Sequence, residues 1–134
     1  MPEPRPTVTR FVSAVRRVEI ARGGAREADV TQHILSRLHQ ALGKLIGPAG
    51  FDVLLARALV LARRGRPVLT GVTAGPGGAL AGLDDAARDG AALQEGAAAV
   101  VSHFIELLII LIGEDLGMRL VRDVWPAATE EEKR

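Results

Sequence analysis

His103 and Glu106 stand three residues apart, one turn of a helix, where the apolar stretch "FIELLIILI" begins. A carboxylate in apolar surroundings can act as a general base with a raised pKa, or as a metal ligand. The order His-x-x-Glu is half of the carboxylate-bridged di-iron pattern in reverse, but that pattern needs two Glu-x-x-His pairs and two further glutamates. His33 and His39 follow no glutamate at that spacing. The sequence therefore predicts no metal site, no cofactor and no catalytic residue.

The same residues have a simpler structural interpretation. Buried charged side chains are almost always paired, so we expect Glu106 at the edge of the apolar stripe, in an ion pair with His103 or with Arg57. This predicted polar site of His103, Glu106 and Arg57 is also where a small-ligand sensor or an enzyme would have an apolar binding pocket. That alternative stays open on the sequence.

An acidic pair, Glu114 and Asp115, directly follows Gly113. Two carboxylates that hydrolyse a glycosidic bond must face one cleft, whereas neighbouring residues of a helix point about 100° apart. Acidic residues are favoured in the first turn of a helix by the helix dipole. The pair therefore indicates the start of a new helix after Gly113 rather than a catalytic dyad.

Sequence motifs for phosphate binding and for nucleophilic catalysis are missing. Gly43 and Lys44 are followed by Leu45, where a P-loop requires Ser or Thr. The glycine-rich "GVTAGPGGALAG", residues 71–82, is typical of a flexible loop, since no clear strand precedes it. None of the serines lies in a Gly-x-Ser-x-Gly sequence.

The composition narrows the class of protein further. The chain has 134 residues, no cysteine, a net charge of +1, three phenylalanines, one tryptophan and no tyrosine. The absence of cysteine excludes disulfides and thiolate ligands and fits a reducing cytoplasm. A near-neutral charge and few aromatic stacking surfaces disfavour specific nucleic-acid binding. Arginine outnumbers lysine 15 to 2, a bias typical of a GC-rich bacterial genome.

Helical periodicity dominates most of the chain. Residues 29–126 are predicted to form an all-α domain, a bundle of about four helices in which a Gly/Pro-rich loop, residues 67–83, separates two helical pairs. Gly47 and Pro48 leave only one or two residues between the first two helices, which predicts a helical hairpin or a sharp corner. Residues 127–134 are predicted to be a solvated acidic tail.

The first 28 residues are predicted to be an amphipathic arm, in which Gly23 and Gly24 end the regular secondary structure. Its Pro-rich start favours mobility. Its β-branched residues leave the conformation open between helix and strand. A free tail has no need of an apolar stripe, so we expect the arm to dock on the core or on a second copy of the chain.

The run "LLIILI", residues 107–112, is apolar around the whole circumference of a helix. It is too short for a membrane span, which needs about 20 apolar residues, and Glu106 adjoins it. A helix that is apolar all round must be covered on all sides, and a chain of this size offers few other helices to cover it. We therefore expect a homodimer or a larger oligomer. The candidate interface residues are Phe104, Leu108, Ile109, Leu111, Ile112 and Leu116.

These observations favour a non-enzymatic bacterial protein of the cytoplasm, an oligomerising adaptor or small regulator that acts through an apolar helical surface. Its predicted partners are a second copy of itself and another protein, with no specific nucleic acid. The sensor or enzyme with a pocket near Glu106 and His103 is one alternative. A peripheral membrane binder that uses the basic arm, with Arg10, Arg16 and Arg17, is the other.

Overall fold

The computed structural model describes residues 3–23, 26–86 and 90–132, so Gly24 and the outermost residues of the predicted arm and tail lie outside it. Within these ranges the chain is all-α, as predicted, apart from a short β-hairpin with two residues in each strand. The described helices are α1 (Pro6–Ala21), α2 (Glu27–Ala62), α3 (Leu83–Ala86), α4 (Gly90–Ile112), α5 (Glu114–Val124) and α6 (Pro126–Glu132). The four predicted helices correspond to the two halves of α2, to α4 and to α5.

α1 is the central part of the predicted arm, and it packs on the core as a helix. Pro6 occupies its first position, where the missing N–H of proline costs nothing. Val8, Phe11, Val12 and Val15 recur at spacings of three and four residues, and each is at most 1% exposed. The core contacts of these side chains decide the conformation that their β-branching left open, because burial of an apolar side chain is worth more than its helix propensity.

α2 consists of two helical segments joined at a corner. Gly47 has φ 78° and ψ 156°, a conformation that is essentially restricted to glycine. Pro48 begins the second segment. The rings of His39 and Phe51 have their centroids 4.9 Å apart, whereas twelve residues of straight helix would span about 18 Å. The segments therefore fold back on each other, and the sharp corner predicted at Gly47 and Pro48 is confirmed.

α4 and α5 meet at a second corner of the same kind. Gly113 has φ 95° and ψ 154°, and both corners carry the sequence Leu-Ile-Gly, at residues 45–47 and 111–113. Glu114 and Asp115 lie in the first turn of α5, as predicted. α5 then returns close along α4, since a Cβ atom added to Gly117 would lie 3.0 Å from the side chain of Ile109.

The two corners lie at the same end of the domain. Phe51 packs on Phe104 with ring centroids 4.8 Å apart, and Arg66 pairs with Glu95 at 2.8 Å. In these contacts a higher residue number on the α2 side is matched by a lower residue number on α4, so the second segment of α2 runs antiparallel to α4. The first segment of α2 lies beside α5, with which it lines a shared groove: Arg37, Gln40, Ala41, Leu120, Asp123 and Val124.

The Gly/Pro-rich connection between α2 and α3 is fixed to α2 rather than being the plain flexible loop predicted. Its strands β1 (Thr73–Ala74) and β2 (Leu80–Ala81) form an antiparallel pair. The side chain of Gln32 on α2 donates to the carbonyl of Gly78 at 3.3 Å and accepts from the N–H of Leu80 at 2.7 Å. The connection therefore forms one wall of the core.

α6 replaces the solvated acidic tail that was predicted from residue 127 onwards. Pro126 begins the helix, and Ala128 is fully buried. Glu131 forms an ion pair with Arg17 of α1. The acidic composition of the tail carries no information about Arg17 of α1, which lies more than one hundred residues earlier and pairs with Glu131.

Candidate functional site

Arg5, directly before α1, forms a bidentate ion pair with Glu106 of α4. Its Nε donates to both carboxylate oxygens, at 3.0 and 3.1 Å, and its Nη2 donates to Oε2 at 2.7 Å. The backbone N–H of Arg5 donates to Oε1 at 3.0 Å, and Nη1 donates to Glu114 at 2.5 Å. One guanidinium group thus links the start of α1 to both sides of the corner at Gly113.

These hydrogen bonds decide the ionisation of Glu106. Burial raises the pKa of its carboxyl group, but the hydrogen bonds from the side chain and backbone of Arg5 together outweigh burial and hold the pKa below its ordinary value of 4.5. The two carboxylates in turn raise the pKa of Arg5. A general base at neutral pH needs a raised pKa and an oxygen free to take a proton, and Glu106 has neither.

Neither predicted partner of Glu106 is the one that binds it. Arg57 lies exposed on the second segment of α2. His103 is 3% exposed, and neither of its ring nitrogens has a hydrogen-bond partner within the described ranges. Burial, opposed in part by the charge of Glu3, lowers the pKa of His103 and keeps the ring neutral at pH 7. His103, Glu106 and Arg57 therefore do not form one site.

The polar cluster at Glu106 joins the start of α1 to α4 and to the start of α5. Both oxygens of the carboxylate are occupied by Arg5, and the neutral ring of His103 has no partner to orient it. In the part of the chain that the structure describes, no group of three or more His, Asp or Glu side chains is placed to hold a metal ion. Nothing in this geometry favours the sensor or enzyme alternative.

A second buried carboxylate, Glu19, was missed in the sequence. Its side chain is 2% exposed and accepts a hydrogen bond from Nε1 of Trp125 at 2.9 Å. Arg37 on α2 approaches the same oxygen with its Nε at 2.9 Å, and Arg22 approaches with Nη1 at 3.4 Å. No sequence motif marks Glu19 as buried. The only signal was the single tryptophan, Trp125, because the indole N–H of a buried tryptophan usually needs a hydrogen-bond acceptor.

The arginines of the arm are divided between structure and surface. Arg16 is 5% exposed and pairs with both oxygens of Glu27 through its two terminal nitrogens. It cannot face a membrane surface, which corrects the expectation that Arg10, Arg16 and Arg17 act together. Arg10 and Arg17 remain exposed on the outer side of α1, opposite its buried stripe.

The six candidate interface residues fall into a buried group and a group that is at least partly exposed. Phe104, Leu108 and Ile109 are at most 3% exposed within a single copy of the chain, so they belong to its own core and cannot form an interface. The expectation failed because a helix that is apolar all round gives no sign of which side its neighbours occupy. Ile112 is half-buried, while Leu111 and Leu116 are 60% and 42% exposed.

Leu111 and Leu116 have two exposed apolar companions at the same end of the domain. Ile110 is 60% exposed and Leu45 is 54% exposed. Leu45 and Leu111 occupy the same position in the two Leu-Ile-Gly corners. We call these four exposed residues, Leu45, Ile110, Leu111 and Leu116, each of which lies within three residues of Gly47 or Gly113, the apolar corner.

Two of the described helices are long and apolar enough to cross a membrane by length and composition, α2 (Glu27–Ala62) and α4 (Gly90–Ile112). The core helix of a soluble protein meets the same criterion. The apolar window of α4 is 67% buried inside the chain, against 33% for that of α2. α4 is therefore covered chiefly by the chain's own helices, and the corner at Gly47 divides α2 into two shorter segments.

Comparison with protein-family models, with curated proteins and with solved structures finds no match. The function must therefore be argued from the residues of this chain alone.

Proposed function

We propose that the chain is a non-enzymatic, self-associating protein whose interface is the apolar corner. The observation that carries this proposal is the exposure of four large aliphatic side chains at one end of the domain, at 42–60% of their surface. Large aliphatic residues are usually buried, and their clustering marks an interaction surface more often than their single occurrence does.

The size of the apolar corner fits a pair of chains. Its four side chains leave roughly 100 Å² each exposed, about 400 Å² together, which is within the range of functional apolar patches on monomers. A standard interface takes about 800 Å² from each partner, and somewhat more than half of that area is apolar. The apolar corner with a polar rim of similar area would meet that requirement.

Charges around the apolar corner favour a second copy over a membrane. Lys44 precedes Leu45, and Glu114 and Asp115 precede Leu116; all three are exposed. A two-fold axis through the surface brings the same patch of both copies together, so Lys44 of one copy can approach Asp115 of the other, whereas Glu114 is already paired with Arg5. The same acidic pair would be repelled by an anionic bilayer.

The role that we propose for the assembled protein is that of a cytoplasmic adaptor or small regulator in a bacterium. The cysteine-free composition and the arginine bias support this setting. Pairing at one end of each chain would leave the opposite end, where α2 passes into the Gly/Pro-rich connection, open for another protein partner.

Leu111→Glu tests the proposed interface. In a symmetric pair each copy buries its own Leu111, so the variant places two carboxylates in the contact, and burial of an unpaired charge costs several kcal/mol. We expect the dissociation constant, measured by analytical ultracentrifugation, to rise by about 100-fold or more. The fold should persist, because Leu111 is exposed in the single chain.

Val60→Glu is the matched control. Val60 is also an exposed aliphatic residue, at 44%, but it lies thirteen residues past Gly47, about 20 Å along the second segment of α2. This variant should assemble like the unmodified chain. A single-chain mass of the unmodified protein throughout the micromolar range, or equal dissociation by both variants, would contradict the proposal. Ile109→Glu is unsuitable as a test, because Ile109 is a core residue and its replacement would unfold the chain.

A further inference from the structure

A groove with a volume of about 890 Å³ runs between α1, the end of α5 and α6. Ligand-binding clefts commonly have volumes of about 300–1,000 Å³. Three arginines line this groove: Arg10 and Arg17 from α1 and Arg122 from α5. Because the positive groups come from two helices and converge on one space, the groove differs from a row of solvated charges along a single helix.

α1 contributes a continuous polar stripe to the groove. Thr7, Arg10, Ser13 and Arg17 recur at spacings of three and four residues, so they share one face of the helix. The opposite face is the buried apolar stripe. Thr129 of α6 adds a third hydroxyl group from the other side. Guanidinium groups are donors that proteins use to bind phosphate, whereas the hydroxyl groups of Ser13 and Thr129 donate to the carbonyl oxygens of Thr9 and Trp125.

The arginines of the groove differ in their partners. Within the described ranges the side chain of Arg10 forms no hydrogen bond or ion pair, and Arg10 is exposed. Arg17 pairs with Glu131, and Nε of Arg122 lies 3.9 Å from Oε1 of Glu132. The carboxylates of Glu131 and Glu132, at the end of α6, therefore lie next to the guanidinium groups of Arg17 and Arg122. The anionic oxygens of a ligand would lie at the same positions.

We propose that this groove binds a phosphate group and that the acidic end of α6 is an autoinhibitory plug that competes with it. The carboxylates of Glu131 and Glu132 stand in for phosphate oxygens on Arg17 and Arg122. A phosphate group enters at Arg10 and displaces them, so phosphate binding and the contact between α6 and the arginines exclude each other. The phosphate belongs to a small soluble molecule or to a lipid headgroup, since both carry the same anionic group.

Calorimetric titration with inorganic pyrophosphate tests the soluble source, and sedimentation with phosphatidylcholine vesicles, with and without phosphatidic acid, tests the lipid source. The double variant Glu131→Gln with Glu132→Gln removes the plug but keeps the size of both side chains. We expect it to bind one of the two probes roughly five- to twenty-fold more tightly than the unmodified chain, because two nearby negative charges are removed. Added salt should weaken the binding.

Arg10→Ala identifies the site. Arg10 has no partner among the described residues, so the variant should fold normally by circular dichroism, yet it should lose at least ten-fold in affinity in the plug-free background. Glu95→Gln is the matched control: Glu95 is an exposed carboxylate paired with Arg66, outside the groove, and its loss should leave binding unchanged. Pyrophosphate binding alone assigns a soluble ligand, and binding to phosphatidic acid vesicles alone assigns a headgroup.

Three results would overturn the proposal. The first is no binding of either probe by the plug-free variant while its helicity is intact. The second is a plug-free variant that binds no more tightly than the unmodified chain. The third is binding that Arg10→Ala leaves unchanged. None of these results depends on the apolar corner, which lies on other residues, so this test and that of self-association can fail separately.

Discussion

Replacement of Glu106 by Gln should destabilise the chain at neutral pH while keeping the fold. Gln keeps the shape and one acceptor oxygen, but it loses the charge that receives four N–H···O contacts from Arg5 at 2.7–3.1 Å. A hydrogen bond to a charged group contributes about 1.5–3 kcal/mol to stability. Relief of the buried charge offsets part of this loss, so we expect the free energy of unfolding to fall by about 1–2 kcal/mol at pH 7.

The pH dependence of this difference follows from the pKa of Glu106. Because the folded-state pKa lies below the ordinary value of 4.5, the ionised carboxylate contributes stability that is fully present above pH 4.5. That contribution is lost as the pH falls through the lower, folded-state pKa. The gap between the two proteins should therefore be constant from pH 7 down to about pH 5 and should close under more acidic conditions.

Urea denaturation at a series of pH values measures both effects. Glu95→Gln provides the comparison, since the pair of Glu95 with Arg66 has a carboxylate that is 60% exposed and such pairs contribute about 0–1 kcal/mol. If Glu106→Gln were as stable as the unmodified chain at pH 7, the ion pair would not hold α1 to α4. A gap that persisted unchanged at pH 3 would show that charge is not its cause.

Two further replacements test the corner and the buried histidine. Gly47→Ala should lower the free energy of unfolding, measured by urea denaturation, by about 1–3 kcal/mol, because the backbone conformation of Gly47 is essentially restricted to glycine. An added Cβ meets no atom within 4 Å, so a steric clash does not contribute to this cost. Gly43→Ala, within the first segment of α2, should be neutral or stabilising by up to about 1 kcal/mol, and equal effects of the two replacements would contradict the assignment of the corner to Gly47. His103→Leu should stabilise the chain by about 1 kcal/mol, because it removes a buried ring without hydrogen bonds. Since the folded-state pKa of His103 is lowered from 6.5, the unmodified chain should lose stability as the pH falls below 6.5, and His103→Leu should lack that component; an unchanged pH profile would refute it.

The sequence predicts the features that depend on local spacing. The helices follow from apolar residues at intervals of three and four, and the corner at Gly47 follows from glycine next to proline. The start of α5 follows from the acidic pair after Gly113. Each of these features is decided within a few residues, where backbone sterics and helix dipoles outweigh distant contacts.

The sequence could not predict which distant residues meet. Arg5 binds Glu106 across 101 positions, and no spacing rule selects it among fifteen arginines. Nor could the sequence distinguish the buried Ile109 from the exposed Leu111, because both belong to a run that is apolar on every side of the helix. The prediction placed Ile109 in an interface between chains, whereas the hairpin of α4 and α5 brings Gly117 against it and buries it.

α1 is synthesised before the other described helices, but its cover is completed only by α5 and α6. Phe11 packs edge-on against Trp125, with ring centroids 6.5 Å apart, and α6 must follow before the outer contacts of α1 can form. At about 5–20 residues per second, translation takes roughly 6–23 s to travel between those two aromatic residues. Throughout that interval α1 lacks the part of its cover that α5 and α6 supply, so the nascent chain offers a partly covered apolar helix to chaperones. Emergence of α5 and α6, rather than emergence of the first helices, is then the step that completes the cover of α1.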